Sequence, residues 1–330
     1  MDIKQIERAE RRLSGIIHNT PVNVSRTFSD MSGAELYLKC ENLQKTGSFK
    51  VRGAYNKLAQ MLESGGRREG ERLHLVASSA GNHAQGVAYA AASAGAQATI
   101  VMPAASPLAK VEATRGYGPE VILYGDSYDA AYALARQLCD ERGAKFIHPF
   151  DDEEIIAGQG TIGLEILRSM PTVDAIVVPA GGGGLLAGIA ACVKQINPRV
   201  KIFGVQASGA DAIVRSFREK RHIATETSIT IADGIAVRNP GVLTTQLIRE
   251  FADDMVTVTD DELAGAILLL LERMKLVVEP AGAAALTAAI MRKIPYLIGK
   301  RVVCVLSGGN IDVAAIHKVV EQGLISRGRL

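Results

Sequence analysis

Apolar and polar positions along the chain fall into two rhythms. Near the start, Ile3, Ile6, Leu13, Ile16 and Ile17 recur at helical spacing behind Asp2, so the spacing predicts a helix capped by that aspartate. Glu35–Lys39 alternates as a strand does. Short apolar runs then recur at Leu73–Ala77, Ala98–Met102, Val121–Tyr124, Ala175–Val178, Lys201–Val205, Met255–Val258 and Val302–Leu306, with helical patterns between them. Strand and helix in alternation predict an α/β fold with mostly parallel, twisted sheets. Ser64–Gly70 reads as an exposed loop and Arg218–Pro240 as irregular, and there is no repeat of fixed period.

Several of the predicted strands run directly into turns rich in glycine or serine. Ser78-Ser79-Ala80-Gly81-Asn82-His83, Gly181-Gly182-Gly183-Gly184-Leu185 and Ser307-Gly308-Gly309-Asn310 each follow one. Ligands of open α/β sheets bind at the carboxyl ends of strands, so three loops point to one crevice. The four glycines open a helix, where bare amides and the helix dipole favour an anion. A tight packing turn would read the same way. A dinucleotide site is disfavoured, because the next strand, Lys201–Gln206, ends without an acidic residue.

Lys50 opens a further helical pattern, with Phe49 beside it to back a flat ring. A lysine partly desolvated at such a place has a lowered pKa and becomes a usable amine, although a solvated surface lysine fits the same spacing. The loop amides and the hydroxyl of Ser79 suit a substrate carboxylate. Asn82 suits a phenolic oxygen, and His83 reads as a base or, more simply, as a structural histidine. An amine, a phosphate cradle and the Ser307 hydroxyl for a ring nitrogen are together what pyridoxal 5′-phosphate (PLP) requires.

Composition narrows the field. The 330 residues suffice for about two domains. With 37 basic and 35 acidic side chains, the formal charge of +2 leaves no footprint for nucleic acid. Cys40, Cys139, Cys192 and Cys304 form no paired motif and suit buried thiols in a reducing compartment. Residues 175–193 are uncharged and long enough to span a bilayer, but Pro179 and the four glycines favour a buried strand, loop and helix. The charged start, MDIKQIERAERRL, is unlike a signal peptide, so a cytoplasmic location is expected.

These motifs, with Glu41–Ala54, Ile156–Thr161 and Ala232-Asp233-Gly234, resemble the fold-type II PLP enzymes of the tryptophan synthase β-like family, within its branch of threonine/serine dehydratases and serine racemases. The resemblance runs through nearly the whole chain in the family's order. It implies a two-domain enzyme with three-layer αβα domains. A discontinuous large domain of residues 1–60 plus 150–330 would bind PLP, and a small mobile domain of 61–149 would close over an amino-acid substrate. Lys50 would form the Schiff base and move the α-proton. Phe49, Asn82, Gly181, Gly182, Gly183, Gly184, Leu185, Gly234 and Ser307 would hold the cofactor. Ser79, Ala80, Gly81, Asn82 and His83 would receive the substrate.

The activity this implies is a threonine/serine ammonia-lyase of amino-acid catabolism, with serine racemase or threo-3-hydroxyaspartate dehydratase as alternatives. A homodimer or homotetramer is implied as well. Two departures matter. Ala80 stands where the racemases carry a second proton-transferring serine. Gln206 and Ala212 stand where their divalent-cation site has acidic side chains, so no divalent metal is expected, and only a monovalent cation held by carbonyls stays open. The sequence ends at Leu330, so the C-terminal regulatory domain of the biosynthetic enzymes is not expected.

Overall fold

The computed structural model describes residues 1–65 and 72–329. Its strands are β1 Val22–Val24, β2 Glu35–Cys40, β3 His74–Ser78, β4 Gln97–Met102, β5 Glu120–Leu123, β6 Lys145–Phe146, β7 Ala175–Pro179, β8 Lys201–Ala207, β9 Asp254–Val258 and β10 Arg301–Leu306. They form a six-stranded sheet ordered β1-β2-β10-β7-β8-β9 and a four-stranded sheet ordered β5-β4-β3-β6. Every neighbouring pair is parallel except β1 with β2. All the runs expected to be strands are strands. β1 and β6 were not anticipated, since three and two residues are too short to show an alternation.

The strands of the large sheet are apolar because both faces are covered. Val302, Cys304 and Leu306 of β10 pack against the helix Pro280–Ile290. Val303 and Val305 point the other way, onto the helices Glu153–Ser169 and Gly184–Ile196. This is the period of two seen on both faces at once, as in parallel sheets. Each fully buried valine contributes roughly 1.5–3 kcal/mol.

The chain begins in the large sheet, leaves it along the helix Lys50–Glu63, and builds the four-stranded sheet. It returns across residues 147–152 to the helix Glu153–Ser169. Helices Glu153–Ser169 and Gly184–Ile196 touch backbone to backbone. A Cβ on Gly188 would lie 2.3 Å from the Ile156 carbonyl oxygen. The Lys50 helix is tied to the same layer by Arg52, which is fully buried and held by Glu41 (2.8 Å), Thr161 (3.0 Å) and Glu165 (2.7 Å).

The first helix, Ile3–Leu13, has Asp2 in a capping box with Gln5, as the spacing predicts. Ile16 and Ile17 lie beyond its end, because Gly15 turns the chain with a φ of +76°. Ser64 and Gly65 form a turn, and the rest of the loop expected at Ser64–Gly70 lies outside the described residues. Between Arg218 and Pro240 the only regular element is the short 3-10 turn Asp233–Ile235. All four cysteines are buried and free. Among the described residues, no helix is long and apolar enough to cross a membrane.

Candidate active site

The loops after β3, β7 and β10 open into one cavity of about 880 Å³ between the two sheets. That volume suits a cofactor together with a small substrate. Every residue singled out in the sequence lines it: Phe49, Lys50, Ser79, Ala80, Gly81, Asn82, His83, Gly181, Gly182, Gly183, Gly184, Leu185, Gly234 and Ser307. Lys50 and Ser307, far apart in sequence, are brought together by a short backbone zipper. Phe49 N–H donates to the Ser307 carbonyl (3.1 Å), Gly309 N–H to that of Gly47 (2.9 Å), and Ser48 bridges Gly308.

Lys50 is the first residue of its helix. Its Nζ donates to the Pro149 carbonyl at 2.9 Å, which joins the outgoing and returning crossings between the sheets. The ring of Phe49 lies 5.2 Å from the same nitrogen. The side chain faces the cavity and is only partly covered, yet it sits deep in the protein. Burial pulls its pKa down to about 8, against some opposition from the charge of Glu279. At pH 7 roughly one such amine in ten is neutral, against about one in three thousand for an ordinary lysine.

The glycine run has no room for side chains. A Cβ on Gly182 would lie 2.2 Å from the Phe150 ring, and Gly183 adopts a φ of +99°. The Thr244 hydroxyl fixes the run by donating to the Gly182 carbonyl at 2.6 Å. Thr244 is set in turn by Asp151, whose carboxylate accepts from the amides of Val242 and Thr244 at 3.1 Å. The helix that begins at Gly184 has no side-chain cap. Its free amides and dipole therefore face the cavity, which fits a phosphate. Ser307 lines the same cavity, at the end of β10, and brings a neutral hydroxyl that suits a ring nitrogen. The residues present fit PLP.

The helix Asn82–Ser93 also starts at the cavity uncapped. Asp2, Ser25, Ser127 and Asp152 cap helices elsewhere. Ser79 Oγ accepts from Gly81 N–H at 3.1 Å and stiffens the loop before it. Ala80 lines the cavity with a methyl group that exchanges no proton. The buried His83 imidazole donates from Nε2 to the Ile147 carbonyl at 2.9 Å, and burial pulls its pKa down to about 3. It is neutral, so any hold it has on a carboxylate comes through its backbone amide.

Glu279 is the site residue the sequence reading missed. It is buried, and its Oε1 accepts from Asn82 Nδ2 at 2.6 Å. Asn82 Oδ1 in turn accepts from Asn310 Nδ2 at 2.8 Å. Burial, aided by Asp233, pushes the Glu279 pKa up to about 7. The signal that could have found it is an acid directly before Pro280 at the start of an apolar helix. Gln206 spends its side-chain oxygen on the amides of Ile213 and Val214, each at 2.9 Å. Among the described residues, no group of three or more His, Cys, Asp or Glu could hold a metal ion.

Comparison with known proteins agrees with this geometry. A sequence profile of the family described as "Pyridoxal-phosphate dependent enzyme" matches residues 13–308. L-threonine ammonia-lyase of Thermotoga maritima is 48% identical over 327 residues, which are 99% of this chain and 80% of that protein. The catabolic L-threonine dehydratase of Escherichia coli K12 is 42% identical over 96% of this chain and 95% of its own length. Among solved structures, maize serine racemase superposes with a TM-score of 0.90 at 34% identity, covering 99% of both chains.

Proposed function

The chain belongs to the pyridoxal-phosphate dependent enzyme family, and we propose that within it the protein is an ammonia-lyase acting on L-threonine and L-serine. Threonine would give 2-oxobutanoate and ammonia, and serine pyruvate and ammonia. The observation that carries this reading is the Lys50 amine, its pKa lowered to about 8, sharing one cavity with two uncapped helix starts and Ser307.

PLP, once bound, draws electrons from the substrate's α-carbon, which makes its hydrogen acidic and lets a β-hydroxyl leave. Gly181 to Leu185 would hold the phosphate and Phe49 and Asn82 the ring, with Gly234 close to the cofactor. Ser307 offers a neutral hydroxyl where an acid would keep the ring nitrogen protonated, which favours prompt loss of a β-substituent. Ser79, Ala80, Gly81, Asn82 and His83 would bind the substrate carboxylate, chiefly through backbone amides. Lys50 Nζ is the base for the α-hydrogen, since its lowered pKa leaves a useful neutral fraction. Lys50 serves one face of that carbon. Ala80 occupies the position where the racemases' second serine would serve the other face, and its methyl group supplies no proton, which favours elimination over racemisation.

The two sheets are read as the cores of two domains, residues 61–149 forming the smaller, which closes over substrate. The protein is further proposed to work in the cytoplasm as a homodimer or homotetramer, a mass that light scattering will give. The activity is tested by 2-oxo acid formation from L-threonine and L-serine. Absence of product from both, in protein that carries PLP, refutes the reading.

A further inference from the structure

The cavity mouth is crossed by two ion pairs that the reaction does not use. Lys110, on the helix Leu108–Arg115 beside the small sheet, reaches Asp233 at 2.5 Å in the loop before Gly241. Asp129, on the helix Tyr128–Arg142, reaches Arg238 of the same loop at 2.6 Å. All four line the cavity, and each pair takes one member from either side of it. We propose that these pairs make the enzyme select β-hydroxy amino acids with uncharged side chains and reject those that carry a second carboxylate.

The argument is one of charge. Among the described residues lining the cavity, the cations are Lys50, Lys110 and Arg238, since the buried His83 is neutral. Lys50 is reserved for the chemistry, and the other two already face an aspartate. A carboxylate on the β-carbon would find no free cation. To gain one it must displace Asp233 or Asp129, and the displaced acid stays beside it as a like charge. A hydroxymethyl or hydroxyethyl side chain asks for no such exchange. The pairs are half-exposed and hold the fold only weakly. Their worth thus lies in discrimination.

The inference rests on the ammonia-lyase reading and is tested on the PLP-loaded enzyme. kcat/KM is measured for L-threonine and L-threo-3-hydroxyaspartate in the unaltered protein, in Asp233→Asn, in Asp129→Asn and in the double variant Lys110→Gln/Asp233→Asn. Thermal melting checks that each is folded. The unaltered enzyme should prefer threonine. Each single variant frees a cation and should raise the hydroxyaspartate-to-threonine ratio by roughly tenfold. The double variant, again without a free cation, should return to the original ratio. An unmoved ratio in both single variants overturns the proposal, as does a raised ratio that persists in the double variant, which would signal a loosened mouth. If the unaltered enzyme does not act on L-threonine, the ammonia-lyase reading itself falls.

Discussion

Glu279→Gln should stabilise the cofactor-free protein, and more so at pH 8 than at pH 5. The side chain is buried, and burial raises its pKa from the ordinary 4.5 to about 7. Between those values the native state binds more protons than the unfolded chain, so stability falls as pH rises through the window. The resulting penalty is about 1 kcal/mol at pH 5 and about 3 kcal/mol at pH 8. Glutamine never carries it, and its carbonyl can still accept from Asn82 Nδ2. One effect opposes the gain. Without the Glu279 charge, the Lys50 pKa falls below about 8, which at pH 8 costs at most RT ln 2, about 0.4 kcal/mol. The net difference between the two pH values is ~2 kcal/mol, or about 3 °C in Tm for a chain of this length. Differential scanning calorimetry of both proteins at pH 5 and pH 8 measures it. An equal gain at both pH values, or a loss at pH 8, would refute the assignment of Glu279 as a buried acid that ionises at a cost.

Other substitutions probe the scaffold and the site. Gly188→Ala drives a Cβ into the Ile156 carbonyl, which cannot move aside, and should lower stability by about 1–3 kcal/mol in urea unfolding. Thr244→Val keeps the shape but removes the hydrogen bond to the Gly182 carbonyl, and should weaken PLP binding by roughly fivefold in a fluorescence titration. Unchanged affinity there would remove Thr244 from the account of the phosphate cradle. Ala80→Ser places a hydroxyl in the cavity and should raise the share of D-serine formed from L-serine, read by chiral chromatography. D-serine forming as fast as pyruvate in the unaltered protein would favour a racemase.

Much of the site was legible because its chemistry sits at strand ends. A β-strand of a covered parallel sheet is a short apolar run, and the turn after it must supply the ligand groups. Ser79–His83, Gly181–Leu185 and Ser307 therefore announce themselves locally. Lys50 is legible because it opens a helix. Glu279 is not, since its meaning lies in a contact with Asn82, 197 residues away. In sequence, Glu-Pro is an ordinary helix start. The pairs Lys110–Asp233 and Asp129–Arg238 are hidden for the same reason, each acid and base being unremarkable on its own segment. His83 follows the simpler of its two readings, since its imidazole donates to the Ile147 carbonyl as a structural histidine does.

The most direct measurement compares the unaltered protein with Lys50→Ala, both loaded with PLP, for 2-oxobutanoate formed from L-threonine. The visible absorbance of the Schiff base is recorded beside it. The account predicts turnover and absorbance in the first, and the loss of both in the second, with PLP still retained by the glycine loop and released on denaturation. Near-normal 2-oxobutanoate formation by Lys50→Ala would contradict it.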